Sequence, residues 1–274
     1  MQLNFLYSLV IFGLLPSVTD ASNKSILLQS TTSTENSGFY EYILPFFEKD
    51  TGIKVNVVAV GTGAAIKNAM NCDGDVLFVH SPKQEVQFIS KGYSKKRFNV
   101  MFNDFLIIGP DNDPAQISNL NNVISAFKNI SLSHTKFISR SDNSGTYHKE
   151  KEIWRKADID PQNSSGEWYF EVGSGMGATL NMAVGINAYT LSDRASWIKF
   201  ENKGTHKIIF KRDSLLHNPY SIMLVNKEKC PNVREEQGQI FINWLISKKG
   251  QRLISEFVVN GKMLFNPNLS MSHK

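Results

Sequence analysis

The chain has 274 residues, of which 41% are hydrophobic and 20% are charged, with a formal net charge of +5 and an isoelectric point near 9.0. This balance is normal for a globular protein with one large domain or two small ones. The mild basicity is compatible with an anionic ligand. Because no long Lys/Arg stripe interleaved with aromatic residues is present, the composition argues against nucleic acid as a partner.

The first residues have the pattern of a secretory signal. Phe5–Leu15 is an apolar run of suitable length, and Thr19–Ala21 is a small-x-small cleavage site. We therefore expect residues 1–21 to be a signal peptide, and the mature chain to begin at Ser22. A transmembrane anchor is the alternative, but the run is short and Pro16 follows it.

From Ile26 onward, strand patterns alternate with amphipathic helix patterns, which predicts mostly parallel sheets flanked by helices. In the first part of the chain, each predicted strand is followed by a polar loop and a helix. The strands are Ile26–Leu28, Val55–Val60 and Asp75–Val79, and the helices are Phe39–Asp50, Ala64–Met70 and Gln84–Lys91. Phe105–Gly109 is a further strand, and the cluster Pro110–Pro114 after it is the best candidate for a crossing into a second lobe.

The rest of the chain continues the alternation of strands and helices. Helix patterns cover Tyr147–Ala157, Ala178–Val184, Gln237–Ser247 and Gly250–Val258, and strand patterns cover Thr135–Ile138, Trp168–Val172, Tyr189–Leu191, Ile208–Phe210 and Ser221–Val225. Val123–Asn129 is expected in the second lobe. We expect the last two strands to return to the first lobe, where the last two helices pack. The predicted division is residues 22–106 plus 215–274 for the first lobe and 107–214 for the second.

Only two cysteines are present, Cys72 and Cys230. In an exported protein they could form a disulfide, or they could be two buried thiols, and the sequence leaves both open. Two cysteines and scattered histidines give no metal-ligand spacing, so we expect no metal site and no cofactor.

The stretch Ser139–Thr146 is predicted to join the end of a strand to the start of a helix. It holds three consecutive good N-cap residues, followed by Gly145, which allows a ligand to approach the backbone closely. Arg140 adds a permanent cation whose donor fork suits oxyanions. The first-turn amides of a helix lack internal partners, and the helix dipole adds positive potential there. The stretch is therefore interpreted as half of an anion pocket, the alternative being an ordinary capped helix with a surface arginine.

Three other strand-to-helix loops share this chemistry, being rich in Ser, Thr or Gly. They are Ser30–Gly38, Gly61–Gly63 and Gly173–Thr179. Ligands of α/β sheets bind at the carboxyl ends of strands, where such loops meet. Each helix N-terminus behaves as roughly +0.5 charge, so four of them offset about two negative charges. A small dianion would fit, and because no loop carries a catalytic base beside its hydroxyls, binding is favoured over turnover.

Other functional motifs are weaker. Gly61–Gly63 follows a strand as in a dinucleotide fingerprint, but Ile66 stands where the third glycine should be. Neither a P-loop nor a G-x-S-x-G elbow is present. Ser144 with His148 could be the nucleophile pair of a secreted hydrolase or transferase, but His148 is expected on the solvated face of its helix. Met176 is expected either to line the ligand pocket or to pack in the core.

Eight stretches, collinear over nearly the whole mature chain, carry a resemblance to a known family. They are TTSTENSG (31–38), ILPFFEKDTGIKVNVVAVGTG (43–63), DVLFVHSP (75–82), NDFLIIGP (103–110), SRSDNSGTYHK (139–149), WYFEVGSGMGATLNMA (168–183), AYTLSDRASW (188–197) and LLHNPYSIMLVN (215–226). On these stretches the chain resembles the periplasmic tungstate-binding subunits of ABC transporters, within the type II solute-binding proteins.

The resemblance implies two α/β lobes, joined by two crossing strands, that close on an oxyanion. It also implies a periplasmic monomer that delivers its ligand to a permease in the inner membrane. The residues that it assigns to the ligand are hydroxyls and amides from each loop together with one arginine: Thr31, Thr32, Ser33, Thr62, Arg140, Ser144, Gly145, Thr146, Gly175 and Met176.

The protonation of the ligand can be argued from the residues. Hydrogen phosphate carries a proton near pH 7 and needs an acceptor carboxylate, whereas tungstate, molybdate and sulfate need donors only. Asp142 is the only nearby acid and is assigned to orienting Arg140 as an ion pair, while the third strand ends in His80-Ser81 without a carboxylate. We therefore predict a fully deprotonated oxyanion. A binder of molybdate, sulfate or phosphate remains an alternative, as does a sensory or scaffolding role, and tungstate is preferred on the resemblance alone.

Overall fold

The computed structural model describes residues 25–268, so the predicted signal peptide lies outside the described residues. Within that range no helix combines the length and the apolar character that crossing a membrane requires. The first elements in chain order are β1 (Ser25–Thr31), α1 (Thr32–Asn36), α2 (Phe39–Thr51), β2 (Lys54–Val60), α3 (Thr62–Met70), β3 (Val76–Val79), α4 (Pro82–Ser90) and β4 (Phe98–Pro110).

The following elements alternate in the same way. They are α5 (Val123–Leu132), β5 (Phe137–Ser139), α6 (Gly145–Lys156), β6 (Tyr169–Glu171), α7 (Met176–Gly185), β7 (Tyr189–Asp193), α8 (Arg194–Lys199), β8 (His206–Phe210), β9 (His217–Leu224), α9 (Glu235–Ile246), α10 (Lys248–Glu256), β10 (Val258–Val259), β11 (Lys262–Met263) and β12 (Asn266–Pro267). Short 3-10 helices cover Pro161–Ser164 and Ser214–Leu216. The predicted α/β class is confirmed.

The strands lie in the order β2-β1-β3-β9-β4-β7-β5-β6, with β8 and β12 pairing on β4. In the first lobe β1 pairs parallel with β2 and β3, and in the second lobe β5 pairs parallel with β6 and β7. The strands at the junction pair antiparallel: β9 with β3 and β4, and β4 with β7. The sheets are therefore mixed rather than mostly parallel, because the strands that connect the lobes run against their neighbours.

The strand β4 runs through both halves of the molecule. It pairs with β9 up to Asp104 and with β7 from Phe105 onward. The sequence pattern predicts only its second half, since polar residues interrupt the first. Those polar residues are matched by polar partners on β9: the hydroxyl of Ser221 donates to Asn99 at 3.1 Å, and the amide of Asn218 donates to Asn103 at 2.7 Å.

The prediction that Ile208–Phe210 returns to the first lobe is wrong. These residues lie in β8, which pairs with Ile107–Pro110 in the second lobe. Ile209 and Phe210 belong to the second-lobe core, and that apolar contact keeps the strand there. The chain re-enters the first lobe only afterwards, in β9, which pairs with β3.

Each lobe has its own aromatic core. The first packs Phe39, Phe47 and Phe241 between its sheet and helices, and the second is built around Trp154 and its neighbours on β5 and β6. Besides the junction strands, α8 joins the two lobes, since its residues Ala195 and Ile198 pack into the first-lobe core. The sequence pattern does not reveal α8, which has only six residues. The side chain of Asp193 caps it by accepting from the Ser196 amide at 3.0 Å.

The two cysteines form a disulfide. The sulfur atoms of Cys72 and Cys230 are 2.10 Å apart, which decides between the alternatives that the sequence left open. The bond ties the end of α3 to the segment after β9, within the first lobe.

Candidate functional site

Side chains and helix starts from both lobes converge on one cavity. The stretches singled out in the sequence contain the starts of α1, α3, α6 and α7, and the first three of these meet around this space. The predicted loop Ser30–Gly38 is not a loop throughout, because α1 (Thr32–Asn36) lies within it before α2 begins at Phe39. Eleven residues line it, of which eight are predicted ligand residues: Thr31, Thr32, Ser33, Val60, Gly61, Thr62, His80, Arg140, Ser144, Gly145 and Thr146. The predicted residues Gly175 and Met176 do not.

The space is small because the lobes are closed around it. About 10 Å³ is open to the centre of a water-sized sphere, which is about the room that one water molecule needs. The cavity therefore suits a compact ligand that residues of both lobes contact.

Arg140 supplies the permanent cation of the cavity. Only 5% of its surface is exposed, and its Nη2 donates to Asp142 Oδ2 at 2.5 Å. The other oxygen of the same carboxylate accepts from the backbone amide of Ser144 at 3.1 Å. The structure thus contains the ion pair expected from the sequence, and Asp142 also fixes the turn that leads into α6.

Two buried donors of the cavity have no partner within residues 25–268. They are Nε of Arg140 and the hydroxyl of Thr146. Leaving a buried polar group unsatisfied costs about 1–3 kcal/mol, and more for a charged group. Since both groups belong to residues lining the cavity, an anion with several acceptor oxygens would satisfy both, and the residues present fit such a ligand.

The start of α6 provides further donors. The hydroxyl oxygen of Ser144 caps the helix by accepting from the Tyr147 amide at 3.2 Å, which leaves its own proton free to donate. The amides of Gly145 and Thr146 lie in the first turn, where a helix offers no internal acceptor. A side chain at Gly145 would come within 3.1 Å of the His80 ring, so glycine lets this helix start approach the opposite wall.

The first lobe contributes hydroxyl groups. Thr31 lies 2.8 Å from the Thr34 hydroxyl and 3.2 Å from that of Ser33, oxygen to oxygen. Thr62 is buried at the first position of α3, which follows Gly61 without a side-chain cap. Thr32 lines the cavity although it is an exposed residue.

Gly175 and Met176 line a neighbouring cavity of about 380 Å³, which shares Thr32, Ser33 and Arg140 with the small one. The side chain of Met176 is buried against Leu106, Ile108 and others. Of the two alternatives considered for Met176, packing in the core is the one that the structure shows, and the pocket that Met176 lines is the neighbouring one rather than the anion cavity.

His80 is a cavity residue that the sequence analysis did not assign. It lies at the end of β3, buried and stacked on Tyr220 with ring centroids 4.5 Å apart. Its Nδ1 donates to Asn218 Oδ1 at 2.9 Å, and its Nε2 is 3.2 Å from the Ser33 hydroxyl. Burial lowers the pKa of His80 below its ordinary value. Its position at the carboxyl end of a strand is compatible with a ligand contact, but the sequence pattern does not distinguish such a contact from a core position.

The lobes touch at the rim of the cavity. The amide of Gly63 donates to the carbonyl of Asn143 at 3.2 Å, and the Asn143 side chain is 2.9 Å from His148 Nε2. His148 therefore bonds to Asn143, whereas the Ser144 hydroxyl serves the helix cap. The side chains of the proposed Ser144–His148 pair share no hydrogen bond in the described part of the chain.

Comparisons with known proteins agree with this architecture. A protein-family model described as "PBP superfamily domain" matches residues 17–249 of this chain. A tungstate-binding protein TupA of Peptoclostridium acidaminophilum is 42% identical over 248 residues, 89% of this chain and 86% of the relative. A second, of Campylobacter jejuni, is 38% identical over 85% of this chain and 87% of the relative. The solved structure of a tungstate-binding TupA from Desulfovibrio alaskensis superimposes with a TM-score of 0.80 at 40% identity, covering 89% of this chain and 98% of that one.

Proposed function

The chain belongs to the PBP superfamily, and from that premise we propose that it is the substrate-binding subunit of a tungstate ABC transporter, TupA-like in fold and in ligand. The relatives named above are tungstate-binding proteins. Their sequence identity to this chain is about 40% over almost its whole length, which supports the same ligand here. On this proposal the protein works in the periplasm as a monomer and hands its ligand to a membrane permease.

One observation carries the proposal: buried donors of the second lobe that lack protein partners belong to residues lining a small cavity, which first-lobe residues bearing hydroxyl groups also line. Arg140 Nε and the Thr146 hydroxyl are such groups, and the first-turn amides of α3 and α6 add backbone donors. Because these donors meet only when the lobes are closed, an anion bridging them stabilises the closed form by its differential affinity. The mechanism is therefore capture by closure, followed by delivery.

Tungstate, molybdate and sulfate share the charge and shape that this cavity accepts. The similarity of the chain to tungstate-binding relatives favours tungstate, with molybdate as the second ligand. Hydrogen phosphate is disfavoured because the one carboxylate at the loop, that of Asp142, is already held by Arg140 and the Ser144 amide.

A hydrolase is the alternative from a different class. Ser33, His80 and Asn218 form a hydrogen-bonded chain with the order of a nucleophile, a base and an orienting group. The small cavity, however, has room only for a compact ligand, so an acyl substrate would have to extend into the neighbouring cavity of about 380 Å³ that Ser33 also lines. A serine-directed phosphonylating reagent should leave the protein unlabelled at Ser33 and at Ser144, and stoichiometric labelling of either would favour the hydrolase.

Titration calorimetry with a panel of oxyanions, at one pH and one salt concentration, tests the proposed function. Tungstate should bind tightest, molybdate and sulfate should follow, and hydrogen phosphate should fail to displace tungstate at equal concentration. An Arg140→Ala variant should bind at least about 30-fold more weakly, because truncating a buried charged partner costs about 2–5 kcal/mol. The exposed arginine Arg252 is a matched control, and Arg252→Ala should bind like the wild type. Phosphate displacing tungstate, or an Arg140→Ala loss under threefold, would contradict the proposal.

A further inference from the structure

We propose that His80 contacts the bound anion through Nε2 and takes up one proton from solvent as the anion binds. This inference rests on the proposed function, because it concerns the same cavity. It adds a residue to the site and makes ligand affinity depend on pH. Three features of the structure support it: the fixed orientation of the ring, the charge balance of the cavity, and the isolation of His80 from bulk water.

The ring is held so that one nitrogen faces the ligand. Asn218 donates its amide to Asn103 Oδ1 at 2.7 Å, so its own Oδ1 accepts from His80 Nδ1 at 2.9 Å. The stacked ring of Tyr220 fixes the plane of the imidazole. Nε2 is therefore the free nitrogen, and it lies on the cavity side next to the Ser33 hydroxyl at 3.2 Å. In the neutral ring this nitrogen is an acceptor, and only the protonated ring can donate to an anion oxygen.

The charges closest to His80 favour the uptake of one proton when a dianion binds. Arg140 contributes +1, but its partner Asp142 contributes −1. Asp193, which is fully buried at the start of α8, contributes a further −1 that acts on His80. These three side chains sum to −1 before a dianion arrives, and the basic residues of the wider cleft lie further along its lining. The N-termini of α3 and α6 offset only about one charge in total. Protonating His80 moves this balance toward neutrality.

The surroundings of His80 favour its neutral form before binding. Burial is the main cause that lowers its pKa, and Arg140 lowers it further, while Asp193 and the hydrogen bond with Asn218 act in the opposite direction. A bound dianion next to Nε2 raises the pKa, because an opposite charge in contact favours the protonated form. The charged and titratable groups around His80 on the neighbouring elements are Arg140, Asp193 and Tyr220, with Lys83, His148, Lys149, Lys151, Glu152, Arg155 and His217 lining the wider cleft.

The sign of the linkage follows from these shifts. Since the pKa is lower in the free protein than in the complex, binding takes up a proton at any pH between the two values. Affinity therefore rises as pH falls through that window, by up to about tenfold per pH unit for one linked proton. The proton comes from water or buffer and resides on Nε2, and no covalent bond to the ligand forms. The protonated ring donates to an unprotonated anion, whereas the neutral ring presents a lone pair to it.

Calorimetry of the wild-type protein measures the proton directly. Tungstate is titrated at and above pH 7, where the free anion carries no proton, in two buffers with different heats of ionisation. The difference between the observed heats gives the number of protons taken up. We expect an uptake that approaches one proton within the window, and an affinity that falls as pH rises. Tight binding with no proton uptake at any pH would overturn the role of His80 and leave the proposed function intact, whereas absence of binding to every oxyanion would overturn the proposed function.

A pair of variants assigns the proton to its residue. His80→Gln keeps a polar side chain of similar length, and we expect it to abolish the uptake and flatten the pH dependence. His148→Gln is the matched control, because His148 also lies at the cleft but bonds to Asn143, and it should keep the uptake. If His148→Gln removes the uptake, the proton belongs to His148 and the inference is wrong. The wild-type measurement stands even if His80→Gln does not fold.

Discussion

At the scale of single residues, the site is a set of donors that the protein leaves unsatisfied. Arg140 Nε and the Thr146 hydroxyl are buried without partners in the described range. They therefore form hydrogen bonds only when a ligand is bound. Most of these residues could be predicted, because Ser, Thr and Gly at a strand end before a helix have a specific physical meaning. His80 could not be assigned this way, since a histidine at a strand end is as compatible with a core position as with a ligand contact.

Thr146→Val tests this separation of binding from folding. Valine has the shape of threonine without the hydroxyl, and in the free protein that hydroxyl has no partner to lose. We therefore expect an unfolding temperature equal to or above that of the wild type, together with a roughly 5- to 15-fold weaker affinity for tungstate, about 1–1.5 kcal/mol for one hydrogen bond.

Thr190→Val is the matched control, because the Thr190 hydroxyl donates to the Ile138 carbonyl at 2.7 Å outside the cavity. It should lower the unfolding temperature and leave affinity unchanged. Unchanged tungstate binding by Thr146→Val would mean that this hydroxyl does not contact the ligand.

At the scale of elements, helix starts and the junction strands organise the site. The loops before α3 and α6 were recognised in the sequence, because glycine and capping residues mark such starts. The full length of β4 and the short helix α8 were not recognised. Polar residues on β4 find partners only on β9, and α8 is too short to show a helical period. The loop of α6 also meets α3 across the cleft, where Gly63 and Asn143 are in contact.

Gly63→Ala tests whether this contact belongs to the closed form. A Cβ at residue 63 would lie 2.0 Å from Asn143 Nδ2, so closure should be obstructed while the open form is unaffected. We expect affinity for tungstate to fall about tenfold or more, with an unchanged or higher unfolding temperature in the absence of ligand, because alanine favours a helix more than glycine does.

The double variant with Asn143→Ala removes the obstructing side chain and should recover most of the affinity. Gly177→Ala in α7 is the control, since a Cβ there meets nothing within 4 Å. Equal affinity for Gly63→Ala and the wild type would show that ligand binding does not bring these residues together.

At the scale of the whole molecule, two cores and two junction strands set the stability and the motion. The α/β class and the family resemblance were predictable, because alternating strand and helix patterns and long collinear motifs are visible in one sequence. The prediction that β8 returns to the first lobe was wrong. Chain order alone does not show in which lobe the apolar residues Ile209 and Phe210 pack. The disulfide could not be predicted either, because pairing depends on the distance between two distant positions.

The pH dependence of stability follows from a buried acid under the Arg140 loop. Glu150 accepts from the Ser139 hydroxyl at 2.9 Å and from the Tyr169 hydroxyl at 2.8 Å, but burial raises its pKa to about 8. Because the folded-state pKa is higher than the ordinary value of 4.5, the free energy of unfolding should fall as pH rises from 4.5 to about 8 and then level off. Glu85, whose pKa burial raises to about 7, acts with the same sign.

Glu150→Gln removes the titration, so this variant should be more stable than the wild type at pH values above 8, by an amount on the order of a few kcal/mol. Chemical denaturation across this pH range measures the difference. Glu152→Gln, on the same helix but more exposed, should follow the wild-type curve. A wild-type curve that rises between pH 5 and 8, unchanged in Glu150→Gln, would contradict the assignment.

Anomalous scattering at the tungsten edge, from crystals grown with tungstate, locates the ligand without reference to any relative. We predict one strong peak between the lobes, with oxygen atoms about 2.7–3.2 Å from Arg140 Nε and the Thr146 hydroxyl. A principal peak beside Met176 in the neighbouring cavity, or on the surface of one lobe, would contradict binding by closure around this small cavity.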